Sequence, residues 1–228
     1  MSTETETTIS DRSIVDRLRA SPFLSQLLSN RLAVTGITII AVVFLVAISA
    51  RLAFDVSELT ATRFGTNPAE AAPSLSYPFG TDGQARDILP RVLYGAWYAV
   101  LYGTVTVALS TTLGVGLGMV AAYYGDLTDN VIMRTMDVLL SFPSLLLALA
   151  LVTIFPEELG LWRAVGALTL VYTPRFARVV RGAALKVLED EYTEATRALG
   201  ATDPRLLVRH VLPNCLAPIT VQSTLNYG

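Results

Sequence analysis

Two residue types that build many functional sites are nearly missing from this 228-residue chain, which has one cysteine, Cys215, and one histidine, His210. A single cysteine excludes an internal disulfide, and without a Cys/His cluster metal ligation by the chain is not expected. Charge is scarce too, at 16% of residues and a formal net charge of -2. That balance lacks the clustered basic surface that nucleic acid requires, so nucleic acid is not an expected partner. No Gly-x-x-x-x-Gly-Lys-Ser/Thr phosphate cradle and no catalytic constellation occur, so the chain is not expected to be an enzyme or to hold a cofactor.

What fills the place of charge is apolar surface: 52% of residues are hydrophobic and the mean hydropathy is +0.51. The charges that remain leave long gaps. Leu32 to Ala50, Val92 to Gly125 and Val138 to Pro156 carry none, and each run is long enough to approach the ~20 helical residues that cross a ~30 Å hydrocarbon core. The expected fold is therefore all-α, a polytopic bundle of transmembrane helices over residues 31–228 after a polar tail at 1–30. Spans are expected at about 32–54, 95–124, 137–156 and 159–181. The fourth is marked down by Arg163 and Arg175, which snorkelling at both ends would accommodate. The apolar run after Arg31 exceeds the ~7–15 residues of a signal-peptide core, so cleavage is not expected. Tyr94, Trp97 and Tyr98 are expected to anchor the second span at the interface.

Orientation follows from lysine and arginine, which accumulate in cytoplasmic segments. The tail with the adjoining Arg31, the short Asp126–Asp137 link and the stretch from Arg175 to His210 together hold 12 of the 17 basic residues. The N-terminus is thus expected in the cytoplasm with the basic segment 186–213, and the 51–91 loop outside. Within the basic segment, Glu189 to Leu199 has helix-forming composition with acids first, and Gly200 is placed to end it. Thr202 or Asp203 then caps a second helix with Pro204 in its first turn, and Pro213 is expected to stop it. Two short helices on a tight turn also suit DNA binding, but Glu189, Asp190, Glu191 and Glu194 would repel phosphate. An amphipathic linker lying on the bilayer is the plain alternative.

The spacing within that segment carries a resemblance. Glu194-Ala195, Gly200 and Leu212-Pro213 resemble the Glu-Ala-Ala loop of ABC-importer permeases, in which a glycine stands at a fixed distance before Leu-Pro. The run from Glu191 to Ala201, with Arg209-His210-Val211-Leu212-Pro213-Asn214, is similar to the dipeptide, oligopeptide and nickel branch. Asn30-Arg31-Leu32-Ala33, the outer-loop group Gly80-Thr81-Asp82 with Arg86-Asp87 and Tyr94-Gly95, and Ser141-Phe142-Pro143-Ser144 extend the likeness from about Leu27 to the end. Thr196 replaces the second alanine of the motif. Ala85 stands where glycine is usual, Pro90 where serine is usual and Trp97 where arginine is usual. Pro90 is expected to kink the entry to the second span.

The resemblance implies a membrane permease subunit of the plasma membrane that pairs with a second homologous permease, two ATPase subunits and an external solute-binding protein. Residues Glu194, Ala195, Thr196, Gly200, Leu212 and Pro213 would form the coupling element that sits in an ATPase groove. Gly80, Thr81, Asp82, Arg86 and Asp87 would form the outer-loop signature. Peptide is the first expected solute and nickel the second. Such permeases usually have six spans, and this chain reaches Gly228 as a partial fifth begins at about 217, so a fragment or truncated product is expected. A self-contained channel or secondary transporter is the competing class, and would predict paired ionisable groups inside the spans. Three lesser features remain. Gly114 and Gly118 are spaced to let another helix approach closely, with mere tolerance of glycine in membrane helices as the alternative. Asp126, Asp129, Arg134 and Asp137 are expected in a solvated turn, and Arg175, Arg178 and Arg181 to snorkel toward the cytoplasm.

Overall fold

The computed structural model describes residues 27–227, so the expected polar tail lies, up to residue 26, outside the described residues. Among these the chain is all-α, with only isolated bridges, Phe64 to Asn67 and Thr81 to Asp87, in place of sheet. The described residues divide into two compact units, with the boundary after Trp97.

In the first unit, helix α1 covers Arg31–Ala53. Asn30 begins it, its side-chain oxygen accepting hydrogen bonds from the amides of Leu32 at 3.0 Å and Ala33 at 3.3 Å. This satisfies two of the amides that a helix start orphans. Of its 23 side chains only Ala47 and Ala50 are buried. A helix that is apolar all round and exposed along its length, ~35 Å at 1.5 Å per residue, is matched to lipid rather than to water. Phe54 leaves the helix in an extended conformation, and Asp55 caps the short α2, Val56–Thr60. An irregular stretch follows, tied down by side-chain bonds described below. Helix α3, Ile88–Tyr124, then starts seven residues before the expected position of the second span. The Asp87 carboxylate accepts from the Leu89 amide at 3.1 Å and caps it. Pro90 falls in the first turn, where the missing amide has no intrahelical acceptor to lose. The expected kink therefore has no cause, and α3 runs as one 37-residue helix.

The second unit holds the rest of α3 and everything after it. Gly125, at φ 60°, turns the chain into α4, Asp126–Ser141, so the expected solvated turn is instead helical, with Asp126 and Asp129 at the favourable N-terminal end. The apolar run 137–156 forms no single rod. It breaks at Phe142-Pro143 into α4 and α5, Ser144–Ile154, which meet at 100°. The cause is local: a residue before proline is pushed out of the helical region, and Phe142 adopts φ -87°, ψ 141°. At 11 residues α5 reaches only ~16 Å, so α4 and α5 together form a broken span or a re-entrant element rather than a straight crossing.

Helix α6, Trp162–Leu188, is the centre of this unit, and α4, α5 and the C-terminal helix all pack on it. It continues seven residues past the expected end of the fourth span. Val165, Ala167, Val171, Phe176, Ala177, Val180 and Ala184 are buried along it, which explains how a helix with charged residues near both ends keeps its place. The glycine spacing in α3 serves this packing. A Cβ on Gly114 would lie 2.3 Å from the Phe176 Cβ and 2.8 Å from the Thr173 carbonyl, and one on Gly118 would lie 2.5 Å from the Ala177 carbonyl. Close approach of another helix is thus what these two glycines permit, whereas Gly116 faces open space.

Candidate functional site

Two regions carry the sequence-predicted residues, one in each unit. The outer-loop group is a knot built around Asp82. Its Oδ1 accepts from the amides of Gln84 and Arg86, each at 2.9 Å. Its Oδ2 accepts from Arg86 Nε at 2.8 Å and Arg91 Nη1 at 2.6 Å. The Arg86 guanidinium and amide hold the Asp82 carboxyl well below the usual carboxylate range. Thr81 is buried, donating to the Pro68 carbonyl at 2.6 Å and accepting from the Ala71 amide at 2.9 Å. Gly80, at φ 73°, leaves no room for a side chain, since a Cβ would sit 2.3 Å from the Ala71 carbonyl. Gly80, Thr81, Asp82, Arg86 and Asp87 thus occupy one continuous knot, each held by a specific bond or contact. Ala85, at φ 60° and fully buried, takes the left-handed conformation that explains why glycine suits that position.

The second region follows α6. Helix α7 covers Glu191–Ala198, and Gly200, at φ 85°, ends it. Thr202 precedes α8, Asp203–Leu206, with Pro204 in its first turn. The helix does not stop at Pro213. A π turn at Leu207–Val211 leads directly into α9, Leu212–Tyr227, so the C-terminal helix starts before the expected 217. A proline ring crowds the carbonyl four residues back, here that of Arg209, and a widened turn at that point relieves the crowding. Buried Val211, Cys215 and Ile219 then hold the helix against Met119 and Ala122 of α3 and Val180, Ala184 and Val187 of α6.

Fixed from below, the pair of short helices exposes a defined upper surface. Thr193 is buried, donating to the Val187 carbonyl at 2.7 Å, and Leu206 is fully buried. Asn214 donates to the Tyr192 hydroxyl at 3.1 Å, tying α7 to α9. Glu194, Ala195, Leu199 and Gly200 are exposed, Leu199 at 89%. Thr196 donates back to the Tyr192 carbonyl, Leu212 packs against the core and Pro213 is exposed. Of the expected coupling residues, Glu194, Ala195 and Gly200 share the exposed side of the turn, while Leu212 belongs to its support. Leu199 was not singled out from sequence, because an apolar residue at the end of a helical stretch reads as buried.

A third feature involves the three arginines expected to snorkel. Arg181 meets Asp129 through two bonds of 2.5 Å, Arg178 meets Asp137 at 2.6 Å, and Arg175 reaches the Ser144 hydroxyl at 3.3 Å. The three-residue spacing on α6 thus produces a ladder whose partners, Asp129, Asp137 and Ser144, follow in the opposite sequence order. All four paired charges lie outside the three uncharged runs, but Asp137 lies at the start of the expected third span and Arg178 and Arg181 at the end of the expected fourth.

Residues 114–228 match the family model of the binding-protein-dependent transport system inner membrane component. The chain belongs to this family of transport permeases and is a multi-pass membrane protein. Among curated relatives, the dipeptide transport system permease protein DppC of Alkalihalophilus pseudofirmus is 40% identical over 206 residues, covering 89% of this chain and 65% of the relative. The oligopeptide transport system permease protein OppC of Bacillus subtilis is 36% identical over 197 residues, covering 86% and 63%. The di/tripeptide transport system permease protein DppC of Pseudomonas aeruginosa is 40% identical over 149 residues, covering 65% and 48%. The chain therefore spans about half to two thirds of the length of these relatives.

Proposed function

We propose that this chain is a permease subunit of an ATP-driven importer, that the solute is a peptide, and that α7 with the Gly200 turn is the element an ATPase subunit grips. The observation that carries this proposal is the exposed surface formed by Glu194, Ala195, Leu199 and Gly200 on a base that is packed and hydrogen-bonded to α3, α6 and α9. Such a surface offers small residues for close approach, one carboxylate, and one apolar side chain that is left in water unless a partner covers it. Peptide as the solute is supported by the names of the relatives, which are peptide permeases. ATP hydrolysis then belongs to the partner subunits, solute delivery to an external binding protein, and the pathway to this chain with a second permease.

In this arrangement the Asp82 knot faces outward, and the N-terminus and the Gly200 turn face the cytoplasm. The asymmetry of arginine supports that orientation. Rigid-body rocking of the helices, biased by the nucleotide state of the ATPase pair, would alternate access to the pathway. The test is co-purification of ATPase subunits with the transport complex carrying Glu194→Ala and Gly200→Val together. Loss of ATPase attachment, with the permease still in the membrane, is expected. Undiminished attachment and uptake would overturn the proposal, as would labelling of residues 189–213 from outside intact cells.

A further inference from the structure

Tyr123 is the penultimate residue of α3, and its side chain is engaged from both sides of the Gly200 turn. Its hydroxyl donates to the Asp203 carboxylate at 2.6 Å. The Arg197 guanidinium carbon lies 4.9 Å from the centre of its ring. Arg197 is in the last turn of α7 and Asp203 is the first residue of α8, so one tyrosine spans the turn whose φ of 85° only glycine adopts freely. The neighbouring Tyr124 meets the Tyr123 ring edge-on at 5.2 Å, which restricts the ring to one orientation. One turn back, Met119 and Ala122 pack with Val187 and Val211, so the base of the helix pair and its rim are both attached to the same end of α3.

We infer that Tyr123 is a positioning residue that transmits movement of the α7–α8 pair to α3 by holding Arg197 and Asp203 at once. The inference rests on the proposed coupling role of the Gly200 turn and names the path by which motion there reaches a membrane helix. The core contacts under Val211 are apolar and non-directional, so they allow sliding. The Tyr123–Asp203 bond, with a charged acceptor, fixes distance and direction, and the cation over the ring fixes its tilt. A rotation of the helix pair therefore carries α3 with it only while these two contacts hold.

The experiment measures solute transported per ATP hydrolysed by the complete transport complex in proteoliposomes, alongside ATPase attachment by co-purification. Tyr123→Phe keeps the ring beneath Arg197 and removes only the O–H. With attachment unchanged, it is expected to lower transport per ATP about tenfold, the equivalent of one charge-assisted hydrogen bond. Asp203→Asn is expected to give a similar loss, and the double variant to be no worse than either single one. A wild-type ratio in Tyr123→Phe overturns the inference. So do losses that multiply in the double variant, or detachment of the ATPase from Tyr123→Phe, which would make Tyr123 a support of the fold. If the Glu194/Gly200 variant keeps its ATPase, the coupling proposal itself fails. If that variant loses its ATPase while Tyr123→Phe transports normally, only the Tyr123 inference fails.

Discussion

Replacing Gly114 with alanine tests whether α3 and α6 are in the close contact the structure describes. The added Cβ would stand 2.3 Å from the Phe176 Cβ, 2.8 Å from the Thr173 carbonyl oxygen and 3.0 Å from the Ala177 amide. Carbon atoms in comfortable contact sit at ~3.5–4.0 Å, and two of these three neighbours are backbone, which no rotamer change can move. The helices must therefore separate by roughly 1 Å, and overpacking of this kind costs about 1–3 kcal/mol. Alanine regains up to ~1 kcal/mol of helix propensity over glycine, which leaves a net loss of about 1–2 kcal/mol. Gly116 supplies the control, because a Cβ there meets nothing within 4 Å. Gly116→Ala keeps the propensity gain without the clash, so the two variants should differ by about 2–3 kcal/mol in opposite directions from wild type. The assay is reversible unfolding in mixed micelles titrated with a denaturing detergent, compared at equal lipid content. Equal midpoints for Gly114→Ala and Gly116→Ala would show that the glycines are merely tolerated and that the helix contact is absent.

Three further outcomes follow from the other regions. Asp82→Asn should expose the outer knot to protease at neutral pH, because the amide cannot hold Arg86 and Arg91 as the carboxylate does. In the unaltered chain the folded pKa is depressed, so the stabilisation is present above the unfolded carboxylate value of ~3.9 and is lost as pH falls through the lower folded value. Pepsin cleavage of the 61–87 stretch should accordingly stay slow at pH 5 and rise only in stronger acid. Ala85→Gly should change the stability of the knot by less than about 1 kcal/mol, because relief of a left-handed alanine is offset by the entropy of glycine and the loss of a buried methyl, read as a proteolysis rate close to that of the unaltered chain. In double-mutant cycles the Asp129–Arg181 pair, bidentate and the less exposed, should show a larger coupling energy than Asp137–Arg178, whose side chains are about half exposed and should contribute at most ~1 kcal/mol.

Features written in short stretches of chain were legible from sequence. Gly200 after a stretch of helix-forming composition, and Thr202-Asp203-Pro204 at a helix start, each act on backbone groups within four residues, so residue type and position are enough. The all-α class followed from uncharged runs that only lipid accommodates. At two other prolines, unlike Pro90, a local rule met a longer-range one. Pro143 does break the chain, but the uniform apolarity of 138–156 concealed two elements at 100°. Pro213 has the local chemistry of a stop, yet the burial of Val211 and Cys215 on α3 and α6 carries the helix through a π turn instead. The contacts with most bearing on function were the least legible. Asp129 and Arg181 are 52 residues apart in sequence, and Tyr123 and Asp203 are 80 apart. Read singly, a charge near the end of a span looks like a residue seeking water. Only the packing of α6 among its neighbours gives Arg178 and Arg181 an acid each, and only the return of the chain after Gly200 places a carboxylate against Tyr123. Arg178 and Arg181, two charges that interrupt the apolar pattern of α6, are thus the ones that fasten it to α4, and the Thr193 hydroxyl on the Val187 carbonyl fastens the same helix to α7.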